Sequence, residues 1–239
     1  MKTLLYTITD FSPYAAECIN LLFGNMIQDT NVDYCVISNN PPPPDFKYNV
    51  VQTKLNANYV GFLKFYSKIP DGYDHYIYMD SDILFFGNPL SLIPTEDLSI
   101  VIENCNIRDE WHSFHINDKN KIPNVKGLNA GTFVFSNKNF VNQVNENILN
   151  NYNPSWSTIH NAMMEQSVFN MTIGQTCNFD WTKYKDITDI TKLHVPTDFK
   201  YNKSIKIYHF CGWAGQMCTK YIRMIDFLKN NEKYIKENI

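Results

Sequence analysis

Two aspartates one residue apart, Asp80 and Asp82, lie inside an otherwise apolar stretch, IYMDSDILFF. They follow HYIYM, which is typical of a buried strand. Side chains i and i+2 of a strand point to the same side, so the two carboxylates can converge while Ser81 faces away. Two unpaired carboxylates resist burial, whereas Mn²⁺ or Mg²⁺ binds such oxygen ligands and keeps positions open for phosphate oxygens. The alternative is a turn that Asp80 caps, with Asp82 in solvent.

The elements that must position this pair alternate between strand and helix in the first half of the chain. That alternation favours an α/β fold with an open, mostly parallel sheet and helices on both faces, in one domain. Ligands of such sheets bind at the carboxyl ends of the strands, where the aspartates lie. The first helix is expected to start with Ser12 as N-cap and Pro13 in its first turn. The expected strands are residues 2–9, 32–38, 48–54, 75–79, 98–103, 129–136 and 205–210. The expected helices are 14–26, 58–68, a helix ending near 151, 163–171, and a terminal helix that starts with 218–229.

The composition excludes several classes of partner. Hydrophobic residues make up 44% of the chain and charged residues 19%, which predicts a packed core. The net charge of -3 provides no basic surface for nucleic acid and no polybasic face for a membrane. The six cysteines form no CxxC pair, so we interpret them as reduced core thiols. With no stretch long enough to cross a bilayer, a soluble cytoplasmic protein is expected.

Five separated pieces of the chain, in the family's order, resemble glycosyltransferase family 8, which has the GT-A fold. They are YTITDFSPY near the N-terminus, Lys64, the DSD at 80–82, GLNAGTFVFS, and the pair EQSVFN and IYHFCG. The resemblance implies a single GT-A domain with a Rossmann-like sheet over residues 1–239. Residues 1–103 would form the nucleotide-binding half, and residues 104–239 would form the acceptor-side half with the C-terminal helix.

The resemblance also assigns a metal site and a donor site. It implies that Asp80, Asp82 and His209 bind Mn²⁺ or Mg²⁺. A lone histidine on an apolar strand is otherwise more often a core residue. The donor, expected to be a UDP-sugar, would be contacted by five further residues: Thr9, Tyr14, Lys64, Ser81 and Gly212.

Individual roles follow from the same resemblance. Tyr14 would stack on the base, although packing within the first helix is an equal alternative. Lys64 would lie close to the donor, unless it is an ordinary solvated lysine. Asn129 would reach the donor sugar, and Gly131 would allow a close approach of the backbone. The alternative for these two residues is a plain turn before a strand.

The implied reaction transfers the sugar to the hydroxyl of a glycan or another acceptor, with retention of configuration. The metal ion would act as a Lewis acid on the leaving diphosphate. Gln166 would stabilise the oxocarbenium-like state, and Glu165 would orient the sugar hydroxyls. Attack from the front face is expected, with a donor phosphate oxygen taking the acceptor proton.

The chain departs from the family pattern at several points. The family has a lysine some six residues past its histidine, whereas here HFCGWAGQM contains none and the next is Lys220. Glu165 replaces an aspartate. The long polar segment 104–126 carries Trp111 and is a candidate acceptor site or lid, or a surface insertion. Glu103, just before it, is a further candidate for a sugar contact.

Two other functions stay open. One is an inactive binding module of the same fold that holds a nucleotide or a glycan. The other is a different metal enzyme of phosphate chemistry, such as a nuclease. The second lacks support because the sequence has no basic surface, no P-loop and no further acidic cluster.

Overall fold

A computed structural model describes residues 1–53, 64, 69–95, 98–106, 124, 126–135, 142, 145–146, 166, 169–170, 183–211 and 217–238. Within them lie ten strands and two long α-helices. The strands are β1 (Thr3–Thr9), β2 (Val32–Ser38), β3 (Asn49–Gln52), β4 (His75–Met79), β5 (Ile83–Phe85), β6 (Leu98–Asn106), β7 (Lys126–Phe135), β8 (Lys185–Asp186), β9 (Thr191–Leu193) and β10 (Ile207–His209). The helices are α1 (Ala15–Gly24) and α2 (Met217–Lys236), and short 3-10 helices cover Pro89–Leu92 and Thr188–Ile190.

Seven strands form the central sheet in the order β3-β2-β1-β4-β7-β6-β8. Four of its six neighbouring pairs are parallel, and β7 is antiparallel to both of its neighbours. The expected mostly parallel α/β sheet is therefore confirmed. A second sheet has the order β5-β10-β9, with β5 antiparallel to β10. In this small sheet, β5 starts directly after the second aspartate and β10 ends at the histidine. The pairing of these two strands therefore brings the aspartates and the histidine together.

The two faces of the central sheet bury different side chains. On one face, α1 packs through Ile19, Leu22 and Phe23 on aliphatic residues of β1, β2, β4 and β7. The opposite face is aromatic, with a stacked contact of 4.7 Å between the rings of Tyr78 and Phe133. The helical residues Lys64 and Phe169 lie against these two rings, so helical residues cover both faces.

Most strand positions agree with those expected from the sequence, while α1 is shorter than the expected helix 14–26. The N-cap of α1 is Tyr14, with φ 70 and no side-chain cap, so the prediction of Ser12 as the cap is wrong. The reason is a turn held by the Asp10 carboxylate, which accepts the Ser12 N–H at 2.9 Å before the helix begins. The terminal helix α2 covers the expected helical start at 218–229 and runs on to Lys236. Within the described part of the chain, no helix has the length and apolar character that crossing a membrane requires.

Candidate active site

Asp80 and Asp82 lie in the turn that joins β4 to β5, and not within a strand as the i, i+2 argument assumed. The chain changes sheets here: β4 belongs to the central sheet and β5 to the small one. The turn is fixed at its start, because the Asp80 N–H donates to the Gly131 carbonyl at 2.8 Å. The carboxylates nevertheless point to one place. Ser81 is partly exposed between them.

The small sheet brings His209 to the aspartates from far along the sequence. His209 pairs with Ile83 in the antiparallel ladder of β5 and β10. The following Phe210 N–H donates to the Asp82 carbonyl at 3.0 Å. As a result, Nε2 of His209 lies 3.5 Å from Asp80 Oδ2 and 3.3 Å from Asp82 Oδ1. The ligand atoms that the three residues offer all lie within 4.8 Å of one another.

Each aspartate has one oxygen facing His209 and the other held by a lysine. Lys64 Nζ lies 3.2 Å from Asp80 Oδ1, which also accepts a short hydrogen bond from the Tyr78 hydroxyl. Lys220, from α2, places its Nζ 2.6 Å from Asp82 Oδ2. We call the five charged or ionisable residues of this group the carboxylate cluster: Lys64, Asp80, Asp82, His209 and Lys220.

The charges of this cluster depend on each other. Burial raises the pKa of Asp82, but Lys220 and His209 outweigh this effect and hold that pKa far below its usual range. Burial lowers the pKa of His209, whereas the Cys211 sulfur and the Asp82 carboxylate raise it, with a net rise. Burial also opposes the charge of Lys220, and Asp82 raises its pKa above the usual value. Asp82 is therefore a carboxylate at neutral pH, as a metal ligand must be, whereas the raised pKa of His209 means that a bound metal ion has to displace a proton from its imidazole.

The three convergent residues fit a divalent cation. Two carboxylates and an imidazole form a ligand set for Mn²⁺ or Mg²⁺, and neighbouring ligands of an octahedral ion at ~2.1 Å lie about 3 Å apart. The separations of 3.3 and 3.5 Å around His209 Nε2 are close to that value. Gly131 closes this cradle, since a Cβ there would lie 2.3 Å from His209 Cε1 and 2.9 Å from Asp80 Oδ2.

Neutral amides form a second polar group next to the first. Asn129 donates to Glu103 Oε1 at 2.6 Å, and its Oδ1 accepts the Gly131 N–H at 2.8 Å. Gln166 donates to the same Glu103 oxygen at 3.4 Å, and its Oε1 accepts the Ala130 N–H at 3.0 Å. Glu103 thus fixes the orientation of both amides. Its expected role from the sequence was a sugar contact, and this positioning role was not predicted.

Asn170 completes this second group by acting as a strand partner. Its Oδ1 accepts the Leu128 N–H at 2.7 Å, and its Nδ2 donates to the Leu128 carbonyl at 2.8 Å. The same Nδ2 lies 2.8 Å from the Gln166 carbonyl. These bonds are needed because β4 pairs with β7 only as far as Met79 and Thr132. We call the residues of this group the amide cluster: Glu103, Asn129, Gln166 and Asn170.

The residues expected to hold the nucleoside lie at the end of β1. The Thr9 hydroxyl accepts the Phe11 N–H at 2.9 Å, which orders the loop after the strand. The ring of Tyr14 is 42% exposed and stacks on Tyr221 of α2, with centroids 5.5 Å apart. Its role as a base platform stays a prediction. Glu165, Gly212 and Trp111 lie outside the described residues.

Two contributors to the site were not predicted from the sequence. In the sequence, Lys220 is the first lysine after HFCGWAGQM, and it lies near the start of the predicted terminal helix. Tyr78 was assigned to a buried strand without a role, but its hydroxyl reaches Asp80. A strand residue two positions before a carboxylate is a usable signal for such a contact, because both side chains emerge on the same side.

Comparison with known proteins agrees with this geometry. A family model described as glycosyl transferase family 8 matches residues 17–215. The chain belongs to this family. Its members generally use a divalent metal and a nucleotide sugar, and the Asp80, Asp82 and His209 group lies within the matched region. No curated protein sequence matches the chain.

Solved structures of glycosyltransferases share the fold at low identity. The apo form of GlyE from Streptococcus pneumoniae TIGR4 aligns with a TM-score of 0.55 and 11% identity, covering 98% of this chain and 64% of that one. The apo structure of the bifunctional glycosyltransferase WbbM aligns with a TM-score of 0.56 and 13% identity, covering 100% of this chain and 51% of that one. The chain thus spans about half to two thirds of these proteins. The expected GT-A type of fold is confirmed.

Proposed function

We propose that this family 8 glycosyltransferase is a metal-dependent, retaining enzyme that moves a sugar from a UDP-sugar to an acceptor hydroxyl. The observation that carries the proposal is the convergence of Asp80, Asp82 and His209 at the carboxyl end of β4. In open α/β sheets this end is where ligands bind. Mn²⁺, or Mg²⁺, is the proposed ion, because the ligands are two carboxylates and one imidazole.

The charges around this point support a diphosphate ligand. The two lysines of the carboxylate cluster offset its two aspartates. A divalent cation added to the cluster therefore keeps its double positive charge, with no further protein anion among the described residues of the cluster to neutralise it. The diphosphate of a nucleotide sugar is a ligand of the opposite charge. A protein with a net charge of -3 would otherwise attract such an anion poorly.

The bound ion would act as a Lewis acid on the diphosphate as the bond to the sugar breaks. The chain's own residues hold the reactants around it. Asp80, Asp82 and His209 would hold the ion, and Lys64 would keep Asp80 in place from the buried side. Lys64 also donates to the Ala130 carbonyl at 3.0 Å, which ties it to the start of β7.

The amide cluster would lie against the donor sugar. We assign to Gln166 the stabilisation of positive charge on the sugar ring, with Asn129 as a contact to a sugar hydroxyl. Both amides are oriented by Glu103, so their side-chain groups have fixed directions. Glu165 is assigned to orient sugar hydroxyls. Thr9, Tyr14, Ser81 and Gly212 are assigned to the nucleoside and diphosphate. The acceptor, a glycan or another hydroxyl compound, would enter beside the segment 104–126.

A cytoplasmic location is part of this proposal. Cys18, Cys35, Cys211 and Cys218 are all free thiols in the described part of the chain. Free thiols are the rule in reducing compartments.

The test is a donor hydrolysis screen. The purified protein is incubated with Mn²⁺ and UDP-, GDP- or dTDP-sugars, and released nucleotide is measured. We expect slow hydrolysis of a UDP-sugar, with the anomeric configuration of the sugar retained by NMR. Asp80→Asn should lose this activity, since it removes a ligand charge. Inverted product would contradict the retaining mechanism. Nucleotide binding without hydrolysis or transfer would instead support the inactive binding module.

A further inference from the structure

In each of the two carboxylates of the metal site, one of the two oxygens is already bonded to another side chain of the protein. Asp80 Oδ1 is engaged by Lys64 and by the Tyr78 hydroxyl. Asp82 Oδ2 is engaged by Lys220 at 2.6 Å. Each aspartate therefore presents one remaining oxygen toward His209 Nε2, at 3.5 and 3.3 Å. This arrangement limits how a cation can be bound.

The contact of Lys220 with Asp82 is built into the helix packing. Lys220 is 21% exposed and Asp82 4%, so water competes little for the pair. The helix that carries Lys220 is anchored by the buried side chains of Met224 and Phe227. Arg223 of the same helix donates a short hydrogen bond to the Val195 carbonyl. A fixed helix and a short ion pair keep Lys220 on one carboxylate oxygen.

The number of available oxygens matters differently for different cations. Ca²⁺ takes six to eight oxygen ligands at about 2.3–2.6 Å and often binds both oxygens of a carboxylate. Mg²⁺ takes six ligands at about 2.0–2.1 Å in octahedral geometry, commonly with one oxygen from each carboxylate. A site in which the second oxygen of each aspartate is engaged by a lysine therefore deprives Ca²⁺ of more ligands than it deprives Mg²⁺ or Mn²⁺.

We propose that Lys220 is a specificity-determining residue that makes Asp82 a one-oxygen ligand and thereby excludes Ca²⁺ in favour of Mn²⁺ and Mg²⁺. This inference rests on the proposed function, since it presupposes a cation at Asp80, Asp82 and His209. The role assigned to Lys220 is to hold one oxygen of the metal ligand Asp82. Lys220 acts as a positioning residue, because it reaches the ion through Asp82.

The experiment compares cation preference in the wild type and in Lys220→Met, which removes the charged donor but keeps much of the side chain. Mn²⁺ binding is measured by electron paramagnetic resonance of free Mn²⁺, and Ca²⁺ binding by its competition with Mn²⁺. Loss of a positive charge should strengthen the binding of every divalent cation. The decisive quantity is therefore the ratio of the Ca²⁺ and Mn²⁺ dissociation constants. We expect this ratio to fall about tenfold in the variant, the scale on which groups that orient metal ligands act.

Two further variants make the result specific. Lys229→Met removes an exposed lysine from the same helix and should leave the ratio at its wild-type value. Lys220→Arg still occupies Asp82 Oδ2 and should also preserve the ratio. Circular dichroism shows whether each variant is folded. If Lys220→Met does not fold, Lys220→Gln takes its place, since it removes the charge and weakens the hold on the oxygen.

The outcomes separate this inference from the proposed function. An equal gain in affinity for both cations, with an unchanged ratio, would overturn the role of Lys220 and leave the metal-dependent enzyme intact. A wild-type protein that binds neither Mn²⁺ nor Ca²⁺, with or without UDP, would overturn the metal site itself. A lowered ratio in Lys220→Met alone would support the inference.

Discussion

The carboxylate cluster and the amide cluster meet at the same few residues of β7 but are built from opposite kinds of groups. Both use the backbone of residues 128–131, where β4 has already ended and the ladder leaves N–H and C=O groups without a strand partner. From the carboxylate cluster, the Lys64 ammonium and the Asp80 backbone N–H donate hydrogen bonds to carbonyl groups of this backbone. From the amide cluster, three side-chain oxygens accept N–H groups of the same backbone, those of Asn129, Gln166 and Asn170.

The difference indicates which group stabilises the fold and which group is arranged to bind the metal ion. In the amide cluster each amide oxygen accepts a backbone N–H, so the cluster replaces the missing strand. In the carboxylate cluster one oxygen of each aspartate converges on His209 Nε2, in an arrangement that suits a cation. We therefore expect damage to the amide cluster to reduce stability and damage to the carboxylate cluster to reduce metal affinity.

The most damaging single substitution should be at Gly131, which lies against members of both clusters. Gly131→Ala would place a Cβ 2.3 Å from His209 Cε1 and 2.9 Å from both Asn129 Oδ1 and Asp80 Oδ2. Since neither side can move without disturbing buried neighbours, we expect a loss of about 3 kcal/mol of unfolding free energy. Mn²⁺ binding should be lost as well. Urea unfolding and Mn²⁺ titration measure the two effects.

A matched control exists at the end of α1. A Cβ added at Gly24 would meet no atom within 4 Å, and the φ of this glycine is not left-handed. Gly24→Ala should therefore leave Mn²⁺ binding unchanged and stabilise the fold by about 0.5 kcal/mol, because alanine restricts the unfolded chain. A Gly131→Ala protein with wild-type stability and metal affinity would show that the two clusters are not in contact as described.

Removing one ligand charge should affect binding far more than folding. Asp82→Asn is expected to weaken Mn²⁺ affinity by about 100-fold, which is about 2.7 kcal/mol. The amide oxygen can still accept from Lys220, and the 21% exposed Lys220 keeps access to water, which limits the loss of folding stability. Isothermal titration calorimetry gives the affinity. An unchanged affinity would exclude Asp82 as a ligand.

The opposite pattern is expected for the amide cluster. Asn170→Ala leaves the buried N–H and C=O of Leu128 without their side-chain partner, which should cost about 2 kcal/mol of unfolding free energy. Mn²⁺ affinity should remain within about twofold of wild type, since the bonds of Asn170 go to Leu128 and Gln166 and not to the carboxylate cluster. The same urea and calorimetry experiments apply. A variant that lost its metal affinity but kept its stability would reverse the assignment of the two clusters.

The sequence was informative where local pattern decides structure. Strands 32–38 and 75–79 were predicted with the bounds they have, because strands in the interior of a sheet are short segments rich in apolar and aromatic residues. The strand β5 was missed, since its three residues become a strand through pairing with the distant β10. The start of the terminal helix was predicted, but its end was not, and its polar C-terminal stretch contains a buried residue. Asn231 is 1% exposed, and its Oδ1 accepts the Tyr201 N–H at 2.8 Å.

The site, too, contains residues that could be predicted from the sequence and one that could not. The aspartate pair could be recognised from its apolar flanks, and the resemblance to family 8 supplied His209, which the structure places beside it. Lys220 could not be found this way, because its contact with Asp82 depends on how α2 packs against the sheets. Spacing along the sequence carries no information on that packing. The absence of the family's usual lysine therefore did not reveal that a later lysine, Lys220, reaches Asp82.

A substitution at a solvent-exposed ion pair should have the smallest effect on stability. Asp33 lies 2.8 Å from Lys2 Nζ and accepts the Tyr73 hydroxyl at 2.7 Å, and these contacts lower its pKa. Because the pKa is lower in the folded state, the contribution to stability is present above the unfolded pKa of about 4 and is lost as the pH falls through the folded value. Asp33→Asn keeps the hydroxyl contact, so it should cost only about 0.5 kcal/mol at neutral pH. Urea unfolding at neutral and at acidic pH should show the difference from wild type shrinking on acidification, and added salt should reduce it too. A loss as large as that expected for Asn170→Ala would mean that exposed charges contribute to this fold as much as its buried amides do.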